Sequence, residues 1–191
     1  MDDWKERLIQ KLEPVLSEPD PRSQMGVYHD LPFAIFVYEP ESEFALREEV
    51  ALLGRRLENK AKRVTVVSLA DCLEKALAAN VSSAELFESE ATVGLSETLR
   101  MAHAVLTDYT PLDDLVVASL PQPVDPIRDI VFLVRAGALF PFYRTSALLE
   151  RLKGRVQVPL VLFYPGAREG ASGLRFMKTL DPDHAYRIRV F

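Results

Sequence analysis

The amino-acid sequence predicts an α/β fold, a single domain with an open, mainly parallel sheet and helices on both faces, Rossmann-like but without a P-loop. Residues 130–134 and 159–164 are uninterrupted apolar runs, which are typical of strands covered on both faces. A helical pattern reaching about residue 153 lies between them, so the two runs make a βαβ unit. Strand and helix patterns alternate in the same way over residues 33–80.

The chain opens with an amphipathic helix, predicted over residues 1–20 ahead of the α/β domain at 21–191. An acidic pair, Asp2 and Asp3, precedes the helical stripe, and two prolines end it. The stripe consists of Trp4, Leu8, Leu12 and Leu16. These side chains either cover the core or bind a partner.

The first half of the domain alternates strand and helix. Strands are predicted at 33–38 and 64–67, and a helix between them carries apolar residues at spacings of four and three. Ser68 and Asp71 have the spacing of a capping box, which accounts for Asp71 without a catalytic role. Residues 82–106 are purely helical in pattern.

The second half contains a proline-rich stretch. Four prolines within residues 107–129 predict a long surface connection that contains a short apolar piece at 115–118. After the βαβ unit, residues 174–180 favour a short helix, and the alternation at 186–190 favours a half-exposed edge strand.

Composition excludes several classes of protein. The 191 residues contain one cysteine, Cys72, which rules out an internal disulfide. No signal-peptide pattern or membrane-spanning run is present, so we expect a cytoplasmic protein without a membrane partner. Residues 1–127 carry 12 Lys/Arg and 23 Asp/Glu, whereas residues 128–191 carry 11 and 5. This asymmetry indicates either a basic face for an anionic partner or charges that interleave in the fold.

Nucleotide binding has one candidate segment. The turn after the first strand carries Glu39, Glu41 and Glu43 and no glycine, so a phosphate site there is excluded. Residues 166–173, with three glycines after a buried strand, form either an anion cradle or a flexible loop. The cradle would use Arg168, Arg175 and Lys178.

The carboxyl ends of the strands carry the candidate partner- or anion-binding residues, since ligands of open α/β sheets gather there. Arginine suits a carboxylate or phosphate of a partner, although pairing with this chain's own acids is equally compatible with the sequence. Arg144 is expected in the first turn of the helix that follows the third strand. The candidates are Arg135, Gly137, Arg144, Tyr164, Gly166, Arg168 and Gly170.

No residue pattern indicates catalysis, a cofactor or a metal. The histidines His29, His103 and His184 are far apart in sequence, and Ser146 and Ser172 lack a nucleophile elbow. We expect no enzymatic activity. Aromatic residues among the C-terminal basic ones leave DNA contact as an open alternative.

Four segments, 135–144, 148–152, 159–166 and 174–176, resemble the BrxB family, the small B component of bacterial BREX phage-exclusion systems. Residues 32–40, with Glu43 and Arg47, are also similar to that family's first strand and helix. The resemblance implies a host-defence role beside a PglZ-like phosphatase-superfamily protein, a DNA methyltransferase and a large ATPase. It therefore implies an assembly subunit, with the PglZ-like component as the expected partner.

Overall fold

A computed structural model describes residues 4–25, 31–170, 173–183 and 188–191, and these residues form the predicted α/β fold. The strands are β1 Phe33–Tyr38, β2 Arg63–Ser68, β3 Asp129–Val134, β4 Leu160–Glu169, β5 Gly173–Phe176 and β6 Arg189–Val190. The helices are α1 Trp4–Arg7, α2 Glu13–Ser17, α3 Arg22–Met25, α4 Glu43–Glu58, α5 Leu69–Asn80, α6 Ser83–Val93, α7 Leu95–Ala104, α8 Leu112–Ala118 and α9 Thr145–Leu152. A π-helical stretch joins α1 to α2, and another extends α7.

The main sheet has the order β2-β3-β4-β1-β6, and all its strand pairs are parallel. The first strand of the chain is therefore interior to the sheet. Phe33 of β1 is in register with Leu160 of β4, and Ala34 is in register with Arg189 of β6. β5 pairs antiparallel with the end of β4. The prediction of an open, mainly parallel sheet is confirmed.

Helices cover both faces of this sheet, as predicted. Side chains alternate along each strand, so Phe33 and Ile35 enter one hydrophobic cluster while Ala34 and Phe36 enter the other. Helices α5, α8 and α9 close the first cluster, and α1, α2 and α4 close the second. Both clusters consist of aliphatic and aromatic side chains, which explains why β1, β3 and β4 have almost uninterrupted apolar sequences.

The N-terminal helices cover the core. All four residues of the predicted stripe are buried in the second cluster, whereas the acidic pair at 2–3 lies outside the described residues. Glu13 accepts a 2.8 Å hydrogen bond from Arg56 of α4. Lys62 is buried and donates to the backbone carbonyls of Glu18, Pro19 and Ile127. These bonds hold the segment that follows α2 against the amino end of β2.

The proline-rich stretch is not one long connection. Leu112–Ala118 forms helix α8, whose Leu112 and Val116 are fully buried in the first cluster. Pro111 is the N-cap residue of this helix and Pro121 follows its end. The prolines therefore bracket the helix rather than interrupt it, and only residues 119–128 connect α8 to β3.

The predicted loop at 166–173 and helix at 174–180 are also wrong. β4 continues to Glu169, and Gly166 is in register with Phe176 of β5, so this part of the chain is a β-hairpin. Residues 171 and 172 lie outside the described residues. A Cβ atom on Gly166 would overlap the carbonyl oxygen of Arg175 and lie 2.7 Å from the Tyr164 ring. The glycine permits close approach of the neighbouring strand rather than of a phosphate.

Two further boundaries differ from expectation. Arg144 has extended backbone angles and is the N-cap residue of α9, not a residue of its first turn, because Pro141 does not begin that helix. The final strand comprises only Arg189–Val190 among the described residues, while positions 186 and 187 of the predicted strand lie outside them.

Candidate functional site

A crevice opens where the chain leaves β1 and β3 toward opposite faces of the sheet. β1 leads through a 3₁₀ turn into α4 over the second cluster, and β3 leads through the turn Ala136–Leu139 over the first. Between them lies a cleft of about 210 Å³. Ligands of open α/β sheets bind at such a switch point. We call it the strand-end crevice; it is lined by Pro40, Glu43, Arg47, Arg135, Gly137, Ala138, Pro165 and Met177.

One wall of the strand-end crevice is an ordered polar chain at the start of α4. The buried phenol of Tyr38 donates to the Glu43 carboxylate, which also accepts from Arg47 Nε at 2.8 Å. Burial and this hydrogen bond raise the pKa of Tyr38, so the phenol remains a donor throughout the physiological range. The Arg47 guanidinium lies 5.1 Å from the ring centre of Phe44, a cation–π contact.

The opposite wall is held by Arg135. Its backbone is left-handed, with φ 58°, a conformation that costs a non-glycine residue on the order of 1 kcal/mol. Its guanidinium donates to Asp71 Oδ1 at 2.7 Å and to Ser68 Oγ at 3.3 Å. Asp71 and Ser68 stand at the start of α5, so the carboxyl ends of β2 and β3 are joined by this ion pair. The strained residue places an arginine beside the cleft.

The structure distributes the seven predicted site residues over three features. Arg135 and Gly137 line the strand-end crevice. Arg144 and Tyr164 border a much smaller cleft beside Leu174 and Phe176; Arg144 is exposed there and Tyr164 is buried in the core. Gly166 is buried within β4, while Arg168 and Gly170 are exposed on the hairpin beyond it.

Sequence reasoning did not assign two residues of this region to a site: Phe44, and Arg47, which entered only the family resemblance. Phe44 is 77% exposed at the start of α4, and Arg47 lies one turn further along the same helix. A single exposed aromatic residue is not unusual in itself, but Phe44 contacts Arg47, which lines the crevice. The available signal was an aromatic residue outside the apolar stripe Leu46-Val50-Leu53-Leu57 of an otherwise regular amphipathic helix.

The cations assigned to the anion cradle have partners within the chain. Arg175 donates to both carboxylate oxygens of Glu169, at 2.6 and 2.9 Å. Lys178 forms ion pairs with Glu39 and Glu41. The glutamates of the first turn thus pair with a lysine from the C-terminal part of the chain, and residues 166–169 provide backbone to a sheet rather than to a ligand.

Folding brings several cations of the C-terminal part of the chain into contact with acids of the N-terminal part. Arg151 and Arg155 pair with the buried Asp113 and its neighbour Asp114. The pairs of Arg135 and Lys178 likewise join a C-terminal cation to an N-terminal acid. Interleaved charge, the second of the two expectations, describes these contacts, and it weakens the case for a continuous DNA-binding face.

The cysteine and the histidine within the described ranges have structural surroundings. Cys72 is buried, and burial raises the pKa of its thiol. His103 Nδ1 lies 2.8 Å from the Phe142 carbonyl oxygen, and its ring packs on Tyr143. No group of three or more potential metal ligands occurs in the part of the chain that the structure describes. Of the helices described, none has the length and apolarity to cross a membrane.

Comparison with known proteins points to one family. The sequence model of the family described as BREX protein BrxB matches residues 65–190. A protein named BREX protein BrxB from Bacillus cereus (strain H3081.97) is 30% identical over 181 residues, covering 94% of this chain and 93% of that protein. No solved structure shows significant similarity to the chain.

Proposed function

Because this chain belongs to the BrxB family of BREX proteins, and so has a role in a phage-defence system, we propose that it is a non-catalytic assembly subunit of that system. Its expected partner is the PglZ-like component, with the DNA methyltransferase and ATPase components as alternatives. The partner docks at the strand-end crevice and the adjoining exposed side chain of Phe44.

The observation that carries the proposal is the Phe44–Arg47 pair at the start of α4. A few residues carry most of the binding energy in protein interfaces, and aromatic and arginine side chains are enriched in such interfaces. Phe44 is exposed, and Arg47 is oriented by Glu43 and by the ring it contacts. The ion pairs of Arg47 with Glu43 and of Arg135 with Asp71 hold the two guanidinium groups in place before a partner arrives, which lowers the entropic cost of binding.

The chemistry of the crevice also favours docking over catalysis. Its charged side chains, Glu43, Arg47 and Arg135, are occupied by each other or by Asp71. The rest of the lining is apolar or glycine. A reaction centre needs a nucleophile or a titrating acid and base within reach of each other. The lining residues supply neither, whereas a shallow apolar cleft edged by guanidinium groups accepts an acidic or apolar segment of a protein partner.

The proposal is tested by Phe44→Ala in cells that express the complete BREX gene set, with the chain tagged for co-purification. Loss of an interface anchor costs about 2 kcal/mol, which is roughly a thirtyfold loss of affinity. We expect the PglZ-like component to be depleted from the eluate. Leu52→Ala is the matched control, because Leu52 is exposed on the same helix two turns away.

The outcome against the proposal is full recovery of the PglZ-like component with a Phe44→Ala chain that elutes as a folded protein. Arg144→Glu extends the test to the neighbouring cleft, where the guanidinium has no ionic partner among the described residues. We expect this variant also to weaken partner binding while the chain stays folded. If Arg144→Glu weakens binding and Phe44→Ala does not, the docking surface is the smaller cleft.

A further inference from the structure

Helices α6 and α7 form a hairpin that extends away from the domain. Side-chain exposure falls along α7, from 58% at Leu95 to 7% at Ala102, and reaches zero at Leu106 in the π-helical turn. None of the α6 side chains that the structure describes is buried. Ser89 of α6 contacts Thr98 and Met101 of α7 at 3.2 Å. The hairpin is therefore attached at the carboxyl end of α7, and its tip at Gly94 is remote from the core.

The side of α6 that faces away from α7 is apolar. Ala84, Phe87 and Ala91 are spaced by three and four residues, which places them on one side of the helix, opposite Leu86 and Ser89. All three are exposed, and Phe87 is 72% exposed. Val93 and Leu95 are exposed on either side of Gly94. A helix that packs only on its neighbour needs one apolar side, whereas α6 has two.

Acidic residues surround this apolar surface. Residues 83–104 contain four glutamates and one arginine, and Arg100 pairs with Glu97 at 2.8 Å. Glu85 is used in the capping box, where it accepts from the backbone N–H of Ser82. Glu88 and Glu90 flank Phe87, are exposed, and form no ion pair with any described residue. Their charge is therefore available to a partner.

We infer that the α6–α7 hairpin is a second docking surface, which binds an amphipathic helix with basic flanks from another protein. An apolar stripe on a helix pairs with the apolar stripe of a second helix, and opposite charges beside the stripes set the partner. A second copy of this chain is disfavoured, since a two-fold interface would bring Glu88 and Glu90 against themselves. The same charges repel an anionic membrane surface.

The inference is independent of the strand-end crevice, and together the two surfaces let one chain join two components. The test places a photo-crosslinking amino acid at Phe87 of the full chain, in cells that express the complete BREX gene set. Ile9, exposed on the N-terminal helical segment, is the control position. We expect a cross-link from position 87 to a lysine- and arginine-rich helical segment of another component, identified by mass spectrometry.

A charge variant makes the test specific. Glu88→Lys with Glu90→Lys should reduce the yield of this cross-link several-fold, while Phe44→Ala should leave it unchanged. Both glutamates are exposed, so the thermal midpoint of the variant should stay close to that of the parent chain. A cross-link to a second copy, one to an acidic segment, or a yield no higher than that from Ile9 overturns the inference.

Discussion

At the scale of single residues, two glycines show how one residue type serves different physical needs. Gly166 lies in β4, where a Cβ atom would overlap the Arg175 carbonyl oxygen and approach the Tyr164 ring. Gly54 lies inside α4, where a Cβ atom would meet only Val64, at an ordinary distance of 3.9 Å. One glycine is required by its neighbours, and the other only lowers helix propensity.

Gly166→Ala should therefore destabilise the protein by about 1–3 kcal/mol, because the β4–β5 hairpin must separate to make room. Gly54→Ala should instead stabilise it, by up to about 1 kcal/mol, since alanine is the better helix former. Urea unfolding followed by circular dichroism measures both changes. Equal effects of the two substitutions would show that close approach at β5 does not determine the choice of glycine.

The sequence predicted correctly those features that depend on residues close together along the chain, such as helix caps and strand ends. At the start of α5, Ser68 Oγ accepts from the backbone N–H of Asp71, as the predicted cap requires, because both residues lie within one helical turn. Arg135 and Gly137 were identified because they follow a strand and so must lie at the edge of the sheet. Phe44 and Arg47 were missed, since the exposure of a side chain depends on what the rest of the fold leaves uncovered.

At the scale of elements, helix α8 shows that a proline-rich stretch of sequence can contain a helix. Its sequence is short and rich in β-branched residues, and its stability comes from packing rather than from helix propensity. Buried Asp113 accepts from Arg151 Nε at 2.8 Å and also pairs with Arg155, which ties α8 to α9 and to the turn that follows it. The next residue, Asp114, is largely exposed and, among the residues that the structure describes, pairs with Arg155 alone.

Asp113 and Asp114 allow the effect of a buried carboxylate on stability to be compared with that of an exposed one. Asp113→Ala should lower the free energy of unfolding by about 1–3 kcal/mol, because it leaves two arginines without their shared acceptor. Asp114→Ala should lower it by less than about 1 kcal/mol, as is usual for an exposed ion pair. Thermal unfolding of both variants decides the matter. If Asp114→Ala proved as costly as Asp113→Ala, burial would not be the reason for the difference.

At the scale of the whole molecule, stability should depend on pH through Asp129 at the start of β3. Burial by itself raises the pKa of this carboxyl, but hydrogen bonds from Arg63 and from the backbone N–H of Asp125 outweigh it and hold the pKa below the ordinary value. The unfolded chain therefore takes up the proton first as the pH falls. The stabilisation is complete at neutral pH and is lost below about pH 4.

Asp129→Asn should lower stability at pH 7 by about 1–3 kcal/mol and make its decline below pH 4 shallower than in the parent chain. Urea unfolding at a series of pH values measures both effects. Parallel curves for the two proteins would mean that other carboxylates account for the acid sensitivity. The same ion pair joins β2 to β3 at their amino ends, just as Arg135 and Asp71 join them at their carboxyl ends.

The order of strands in the sheet delays the folding of β1 while the chain is being synthesised on the ribosome. β1 emerges early, yet its two neighbours in the sheet, β4 and β6, are among the last strands to be made. The backbone N–H of Phe191 donates to the Ile35 carbonyl oxygen of β1, so this edge of the sheet cannot form until residue 191 has been made. Synthesis proceeds at about 5–20 residues per second, which leaves the apolar β1 exposed for many seconds. The nascent chain must keep this strand from aggregating until its last neighbour has been translated.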